Sequence, residues 1–272
     1  MKNYYRRKGV KKALLNFVFS GSKDPIREGA FFNENIDGIQ RHVSKEREES
    51  VLVLDSERKL NRLLKSGATA FYSSYWRYSD PFRAENPIGR DLAWTVRASD
   101  GGIMAAKDMA GLFLETLERE GFPAPFLKYS GKLGFDFLIP LEDVQSSAPE
   151  DLGFMSKIQE DLTESFLSLL VRKDGYEVER EGAKALIKSG QGTCLLTELK
   201  WKRGLLLSPM SLHPGSGLVS LPLSSSEIPE FSVLDASPED VSPRCWTVGE
   251  SLPGKRNDFC LRYSAGKVPF QA

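Results

Sequence analysis

Residues 91 to 100, DLAWTVRASD, and residues 128 to 140, KYSGKLGFDFLIP, decide the fold of this 272-residue chain. The first stretch predicts a strand over residues 91 to 98, followed by a polar glycine turn. Apolar residues at helical spacing then predict a helix over residues 103 to 120. The second stretch predicts a strand, a glycine turn and another strand, which is the pattern of a hairpin.

The segments before these motifs predict helices and one further strand. The first 70 residues are expected to be mostly helical, with a short helix from Ser56 to Leu64. ATAFYSSYWRYSDP, residues 68 to 81, alternates and is rich in aromatic residues, which favours a strand.

The segments after these motifs predict a helical region, further strands and an irregular tail. Residues 149 to 190 are helical in character, strands are expected between residues 193 and 223, and the tail begins at about residue 224. This order of elements predicts an α+β fold in which helices flank a mixed β-sheet core. We expect a single domain over residues 1 to 272.

Composition limits the classes of function. The net charge is zero, with 37 basic and 37 acidic residues, which argues against strong autonomous binding of duplex nucleic acid. Basic residues cluster at positions 2 to 12 and 200 to 203, where a solvated face is the simplest interpretation. The three cysteines are far apart and show neither a disulfide framework nor zinc-site spacing, so we expect a cytoplasmic protein. No apolar run is long enough to span a bilayer, so no membrane partner is expected.

Several blocks together resemble the small catalytic subunit of archaeal and eukaryotic DNA primases. The resemblance implies a primase small-subunit fold and extends from Tyr4 to about residue 223. The blocks, in the order of that family, are Tyr4 to Arg7, Arg41-His42 with Ser44, FYSSYW at 71 to 76 with Asp80-Pro81, DLAWTVRASD at 91 to 100, KYSGKLGFDFLIP at 128 to 140, and SPMSLHPGSGLVSLPL at 208 to 223.

The resemblance also implies that the catalytic residues have been replaced. In active members of the family, two aspartates two residues apart on a strand hold the metal ions for phosphoryl transfer. Thr95 and Arg97 stand at these positions here. Asp136 replaces the histidine of the second motif, and the aspartate of the third motif falls near Trp201, with Glu198 as a shifted candidate. We therefore predict no catalytic residue, no bound metal and no cofactor.

Four residues remain as candidates for binding phosphate or nucleotide. Ser130 and Lys132 belong to a glycine turn whose backbone amides could hold a phosphate, although a plain hairpin turn is an equally good interpretation. Ser211 and His213 keep the family's Ser-Leu-His segment. A single histidine is more often structural than functional.

The favoured hypothesis is an inactive primase paralogue, as in archaea whose primase has an additional non-catalytic subunit. Such a protein would bind a primase subunit, with nucleoside triphosphate and single-stranded DNA as further ligands, and would assist primer synthesis during DNA replication. One alternative is an active nucleotidyltransferase whose Mg²⁺ or Mn²⁺ site has moved to Asp136, Glu142, Asp143 and Glu198. The other is a purely structural assembly protein whose cleft is filled by Trp94, Phe135 or Trp201.

Overall fold

The computed structural model describes residues 3–18, 26–41, 52–80, 87–144 and 152–246, and it confirms the α+β class. The helices are α1 (Lys8–Val18), α2 (Glu57–Lys65), α3 (Gly102–Arg119), α4 (Leu141–Val144) and α5 (Leu152–Val171). The strands are β1 (Ile26–Asn33), β2 (Gly38–Gln40), β3 (Ala68–Tyr78), β4 (Pro87–Arg90), β5 (Leu92–Ala98), β6 (Phe126–Tyr129), β7 (Gly134–Ile139), β8 (Glu177–Glu181), β9 (Lys184–Ser189), β10 (Gly192–Leu199), β11 (Leu205–Leu207) and β12 (Pro222–Leu223). No helix in this described part is long and apolar enough to cross a membrane.

The chain forms two compact units. Of the described residues, those within 1–89, 127–134 and 201–246 form unit 1, and those within 90–126 and 135–200 form unit 2. The expectation of one primase-like domain over the whole chain stays a prediction.

Unit 1 is built on an antiparallel sheet with the strand order β11-β3-β1-β2, and β4 also pairs with β3. Strand β12 pairs antiparallel with β6. The aromatic ring of Tyr5 packs edge-on against Phe71 of β3 at 5.3 Å and against Tyr4 at 5.1 Å. These buried rings attach the N-terminal segment to the sheet, because aromatic pairs in this geometry stabilise a core beyond their buried area.

Unit 2 contains β7-β5-β10-β9-β8 in that order, with helices α3 and α5 packed together and against β5 and β10. Phe113 of α3 lies at the centre of its core. The ring of Phe113 contacts those of Trp94, Phe137 and Phe166 at centroid distances of 5.1 to 5.3 Å. The apolar stripe that predicted this helix is therefore the stripe that the core buries.

Two regions expected to be helical contain strands. Within the first 70 residues, β1 and β2 stand where helix was expected, and β1 is antiparallel to both β2 and β3. The helical segment expected over residues 149 to 190 ends at Val171, and β8 and β9 follow it. Gly182 takes a positive φ of 56° in the turn between them, and pairing of β9 with β10 buries Ala185 and Ile187. Pairing with a neighbouring strand therefore overrides the local helical spacing.

The structure describes the region of the expected irregular tail as far as Trp246. Between residues 224 and 246 the regular elements are the two 3₁₀ turns Ser225–Glu227 and Val233–Ala236. The short element expected at residues 258 to 264 lies outside the described residues.

Candidate functional site

Strand β5 places Thr95 and Arg97 on one face, because residues two apart on a strand project to the same side. Both are paired with β10, where Thr95 lies opposite Thr197 and Arg97 lies opposite Leu195. The positions that the resemblance assigns to two metal-binding aspartates therefore do lie side by side. They present a hydroxyl and a guanidinium instead of two carboxylates.

Arg97 forms an ion pair with Asp136 of β7. The Nη2 atom of Arg97 lies 2.6 Å from the Asp136 Oδ1 atom, and Nη1 donates a hydrogen bond of 3.1 Å to the Phe135 carbonyl oxygen. The Asp136 side chain is 1% exposed and the Arg97 side chain is 34% exposed. Short charge-assisted bonds of this kind are among the stronger ones in proteins. Two residues that differ from the family pattern therefore compensate each other's charge.

The ion pair fixes the direction of the Arg97 charge. Its guanidinium faces the Asp136 carboxylate, so each side chain already has a partner of opposite charge. The Asp136 carboxylate would therefore repel an anion less than an unpaired carboxylate would.

The two candidates for the third motif position are a buried glutamate and an exposed tryptophan. Glu198 lies in β10 and is fully buried, with Oε1 2.8 Å from Arg180 Nη2 and Oε2 2.9 Å from Lys200 Nζ. Trp201 lies beyond the strand and is exposed. Glu198 is the acid on the strand, but two cations already neutralise it.

The carboxylates proposed for a relocated metal site do not gather. Among the described residues no group of three or more His, Cys, Asp or Glu side chains is placed to hold a metal ion. Asp136, Glu142, Asp143 and Glu198 all belong to that described part, so these four side chains do not form the cluster that this alternative requires. The bulky residues expected to fill a cleft differ in their exposure. Trp94 and Phe135 are fully buried, whereas Trp201 is exposed.

The turn Ser130–Gly134 carries two of the phosphate-binding candidates. The Ser130 amide donates to the Gly134 carbonyl oxygen at 2.9 Å, and the Ser130 hydroxyl accepts a bond of 3.3 Å from the Lys132 amide. The Lys132 side chain is exposed. Gly131 has a φ of +84°, and a Cβ atom there would lie 2.7 Å from the His213 Cβ. The turn therefore needs glycine at this position in order to approach His213.

His213 is held in one orientation beside this turn. Its Nδ1 atom accepts hydrogen bonds from the amides of Gly215 at 3.1 Å and Ser216 at 3.2 Å. A nitrogen that accepts carries no hydrogen, so the neutral ring has its proton on Nε2, which is then a donor. The Ser216 hydroxyl donates to the Gly131 carbonyl oxygen. Ser216, which the sequence motif did not single out, thus joins the His213 loop to the glycine turn.

Ser211 is not part of this group. Its hydroxyl is buried, accepts a bond of 2.7 Å from the Phe71 amide and lies 3.3 Å from the Tyr5 hydroxyl. The Tyr5 hydroxyl in turn accepts from the Leu212 amide at 2.8 Å. Burial raises the pKa of Tyr5 far above its ordinary value. Ser211 therefore stabilises the core of unit 1, and Lys132 and His213 are the polar candidates that stay near the surface. His42 and Ser44, which belonged to the family-like blocks, lie outside the described residues.

Comparisons with known proteins agree with this fold. No family model matches the chain, and no curated protein matches it. Among solved structures, the chain is similar to the polymerase domain of ligase D from Mycobacterium tuberculosis in complex with DNA, with a TM-score of 0.60 and 14% identity. The match covers 97% of this chain and 88% of that one. The chain shares the fold of that polymerase domain. At this identity the likeness shows the fold alone.

Proposed function

We propose that the chain is a non-catalytic, primase-like accessory subunit that assists primer synthesis during DNA replication. The observation that carries this proposal is the ion pair between Arg97 and Asp136. In the primase/polymerase-like fold, catalysis through metal ions needs carboxylates that are free to bind them. Here a permanently charged guanidinium occupies one such position, and its partner is the carboxylate at another motif position.

The surviving acid supports the same conclusion. Glu198 is fully buried and neutralised by Arg180 and Lys200, so it would have to leave two ion pairs to bind a metal. Thr95 supplies a hydroxyl, which is a weak ligand for a divalent cation compared with a carboxylate. The chain's own residues at the motif positions are thus suited to structure rather than to phosphoryl transfer.

A weak anion site at the Ser130–Gly134 turn is the second part of the proposal. The Nε2–H group of His213 and the ammonium group of Lys132 are donors of the kind that phosphates accept. The site has no acid among the residues assigned to it, so a triphosphate would bind without requiring a metal ion. Nucleoside triphosphate and the end of a single-stranded DNA are the candidate ligands.

The protein partner in this proposal is a primase subunit. The hairpin formed by β1 and β2 exposes Ile36 by 57% and Ile39 by 50%, which gives its tip a small apolar surface. Exposed apolar residues that lie close together are typical of contact sites between proteins. We therefore assign the docking role to this hairpin. Replacing both isoleucines with lysine should abolish co-purification with the partner, whereas Met104→Lys, at another exposed apolar residue, should not.

Two measurements test the function as a whole. The purified chain, supplied with template, nucleoside triphosphates and either Mg²⁺ or Mn²⁺, should make no primer. In a binding titration, a fluorescent nucleoside triphosphate should bind equally with and without Mg²⁺, and Lys132→Ala or His213→Ala should weaken that binding. Primer synthesis, or binding that requires the metal, would contradict the non-catalytic assignment. If the chain bound its partner but no nucleotide, a purely structural assembly role would remain.

A further inference from the structure

The turn formed by residues 201 to 204, which we call the WKRG turn, displays a tryptophan to solvent. The chain has four tryptophans, and Trp201 is 49% exposed whereas Trp76, Trp94 and Trp246 are 0 to 7% exposed. An exposed indole is unusual, because tryptophan is highly buried on average. The feature calls for an explanation if the backbone beneath it is held rigidly.

The backbone under Trp201 is fixed by three hydrogen bonds to one atom. Its carbonyl oxygen accepts from the Tyr75 hydroxyl at 3.0 Å, from the Trp76 Nε1 atom at 2.7 Å and from the Gly204 amide at 2.9 Å. A Cβ atom on Gly204 would lie 1.8 Å from the Tyr75 hydroxyl oxygen. The turn therefore sits directly on strand β3, and the indole above it is presented by an anchored backbone.

Arg203 adopts a backbone conformation that is unfavourable for its type. Its φ is +58°, in the left-handed region that non-glycine residues rarely occupy. The guanidinium is held by the buried carboxylate of Glu28, with Nη2 2.6 Å from Oε1 and Nε 3.2 Å from Oε2. Arg41 also lies 3.1 Å from Glu28 and donates a bond of 2.8 Å to the Arg203 carbonyl oxygen. Local backbone strain that is held in place this firmly is often found at functional sites.

Among the described residues, three cations surround the WKRG turn, namely Arg41, Lys202 and Arg203, and Glu28 is the carboxylate that pairs with two of them. The Lys202 side chain is exposed, and Arg41 and Arg203 are partly exposed at 30% and 38%. A flat aromatic surface is thus flanked by an excess of positive charge, which is complementary to a ligand that is both aromatic and anionic.

We propose that the WKRG turn is a binding site for single-stranded nucleic acid, with Trp201 stacking on a base and Lys202 contacting a phosphate. Stacking on aromatic side chains beside a basic groove is the general means by which proteins bind unpaired strands. A duplex hides its base faces, so the turn should discriminate against it. This inference rests on the proposed function for its class of ligand, single-stranded nucleic acid, and adds a separate contact site outside the Ser130–Gly134 turn and the Arg97–Asp136 pair.

The exposed position of Trp201 makes the test direct. Intrinsic tryptophan fluorescence of the full chain is followed during titration with an oligothymidylate of about 12 nucleotides, with the matched oligouridylate, and with a duplex of the same length. Both single strands should quench the emission, and the duplex should bind more weakly. Because the other three tryptophans are buried, acrylamide quenching of the free protein should be dominated by Trp201.

Variants then assign the binding to the turn, with affinity followed by fluorescence anisotropy of a labelled strand. Trp201→Ala should weaken it about 5- to 100-fold, corresponding to roughly 1–3 kcal/mol for a stacked base. Trp201→Phe, which keeps an aromatic ring, should retain most of it. Lys202→Ala should reduce the slope of log affinity against log salt by about one phosphate contact. Leu234→Ala, at another exposed apolar residue, is the matched control and should leave affinity unchanged.

Several results would overturn this inference. Unchanged affinity in Trp201→Ala, equal loss in Leu234→Ala, or duplex binding as tight as that of the single strand would each do so. A Trp201→Ala variant that binds nucleic acid normally but loses a protein partner would reassign the turn to protein recognition. The primer-synthesis and partner assays do not involve Trp201, so failure of the proposed function and failure of this inference give different results.

Discussion

Replacing Arg97 should destabilise the protein much more than replacing its partner Asp136. Arg97→Met keeps the apolar stem and removes the cation 2.6 Å from a carboxylate that is 1% exposed. Removing one member of a buried ion pair typically costs about 3–5 kcal/mol. Because Arg97 is one-third exposed, and water screens part of the interaction, we expect a loss of about 2–3 kcal/mol in the free energy of unfolding.

Asp136→Asn leaves the charge on the more exposed partner. The Arg97 side chain is 34% exposed and has solvent within reach, so its guanidinium is not left buried. The expected loss is about 1 kcal/mol, the usual scale of a single hydrogen bond. The double variant Arg97→Met with Asp136→Asn should be more stable than Arg97→Met alone, because it no longer buries an uncompensated carboxylate.

Urea unfolding followed by circular dichroism, on the wild type and these three variants at neutral pH, gives the double-mutant cycle. A coupling energy of about 1–2 kcal/mol is expected, because the double variant should lose less stability than the sum of the two single losses. Equal and small losses in both, with additive behaviour in the double variant, would refute the reasoning. In that case the pair would be an ordinary surface ion pair, and the motif positions would again be open to a metal.

Three further predictions follow from individual residues. Gly131→Ala should lower the free energy of unfolding by about 1–2 kcal/mol, measured by urea unfolding, because φ there is +84° and the added methyl approaches His213; an unchanged stability would contradict this. Iodoacetamide at mildly alkaline pH should modify the exposed Cys245 and spare Cys194 until the chain unfolds, as measured by peptide mass spectrometry. The reason is that burial, and to a smaller extent nearby carboxylates, raise the pKa of Cys194 to about 12. Burial raises the pKa of Tyr78 from its ordinary value of 10.0 to about 12. The wild type should therefore lose stability relative to Tyr78→Phe as the pH rises from 10 to 12, because the unfolded chain ionises first. An equal change in the free energy of unfolding of both proteins over that range would count against this.

Local patterns were sufficient to predict the elements whose identity depends on their own residues. The helix expected over residues 103 to 120 is α3, and its apolar stripe is what the Phe113 core buries. The strands on either side of the Ser130–Gly134 turn were predicted for the same reason, since their glycines and alternation act locally. The short helix expected from Ser56 is α2, and the Ser56 hydroxyl caps it by accepting a bond from the Lys59 amide.

Elements that depend on a distant partner were mispredicted. Strands β8 and β9 carry short charged and apolar runs that also suit a helix. Their structure is settled by the pairing of β8 with β9 and of β9 with β10. Ser211 shows the same limit at the level of a site. Its motif suggests a ligand contact, but it is committed to the Tyr5 hydroxyl, 206 residues earlier in the chain. No pattern within the motif carries that information.

The ion pair between Arg97 and Asp136 also opposes the creation of a metal site at these positions. Changing Arg97 alone to aspartate would put a new carboxylate beside the buried one of Asp136, and two like charges at that distance repel strongly unless one is protonated or a cation binds. Changing Asp136 alone would free Arg97, whose charge repels the metal. The pair of aspartates that the resemblance implies would require changes at both Thr95 and Arg97, and the change at Arg97 would leave the buried Asp136 carboxylate without its cation. Without a bound cation, that intermediate would be less stable than the present pair. The ion pair therefore supports the proposed non-catalytic state more strongly than a missing acid alone would.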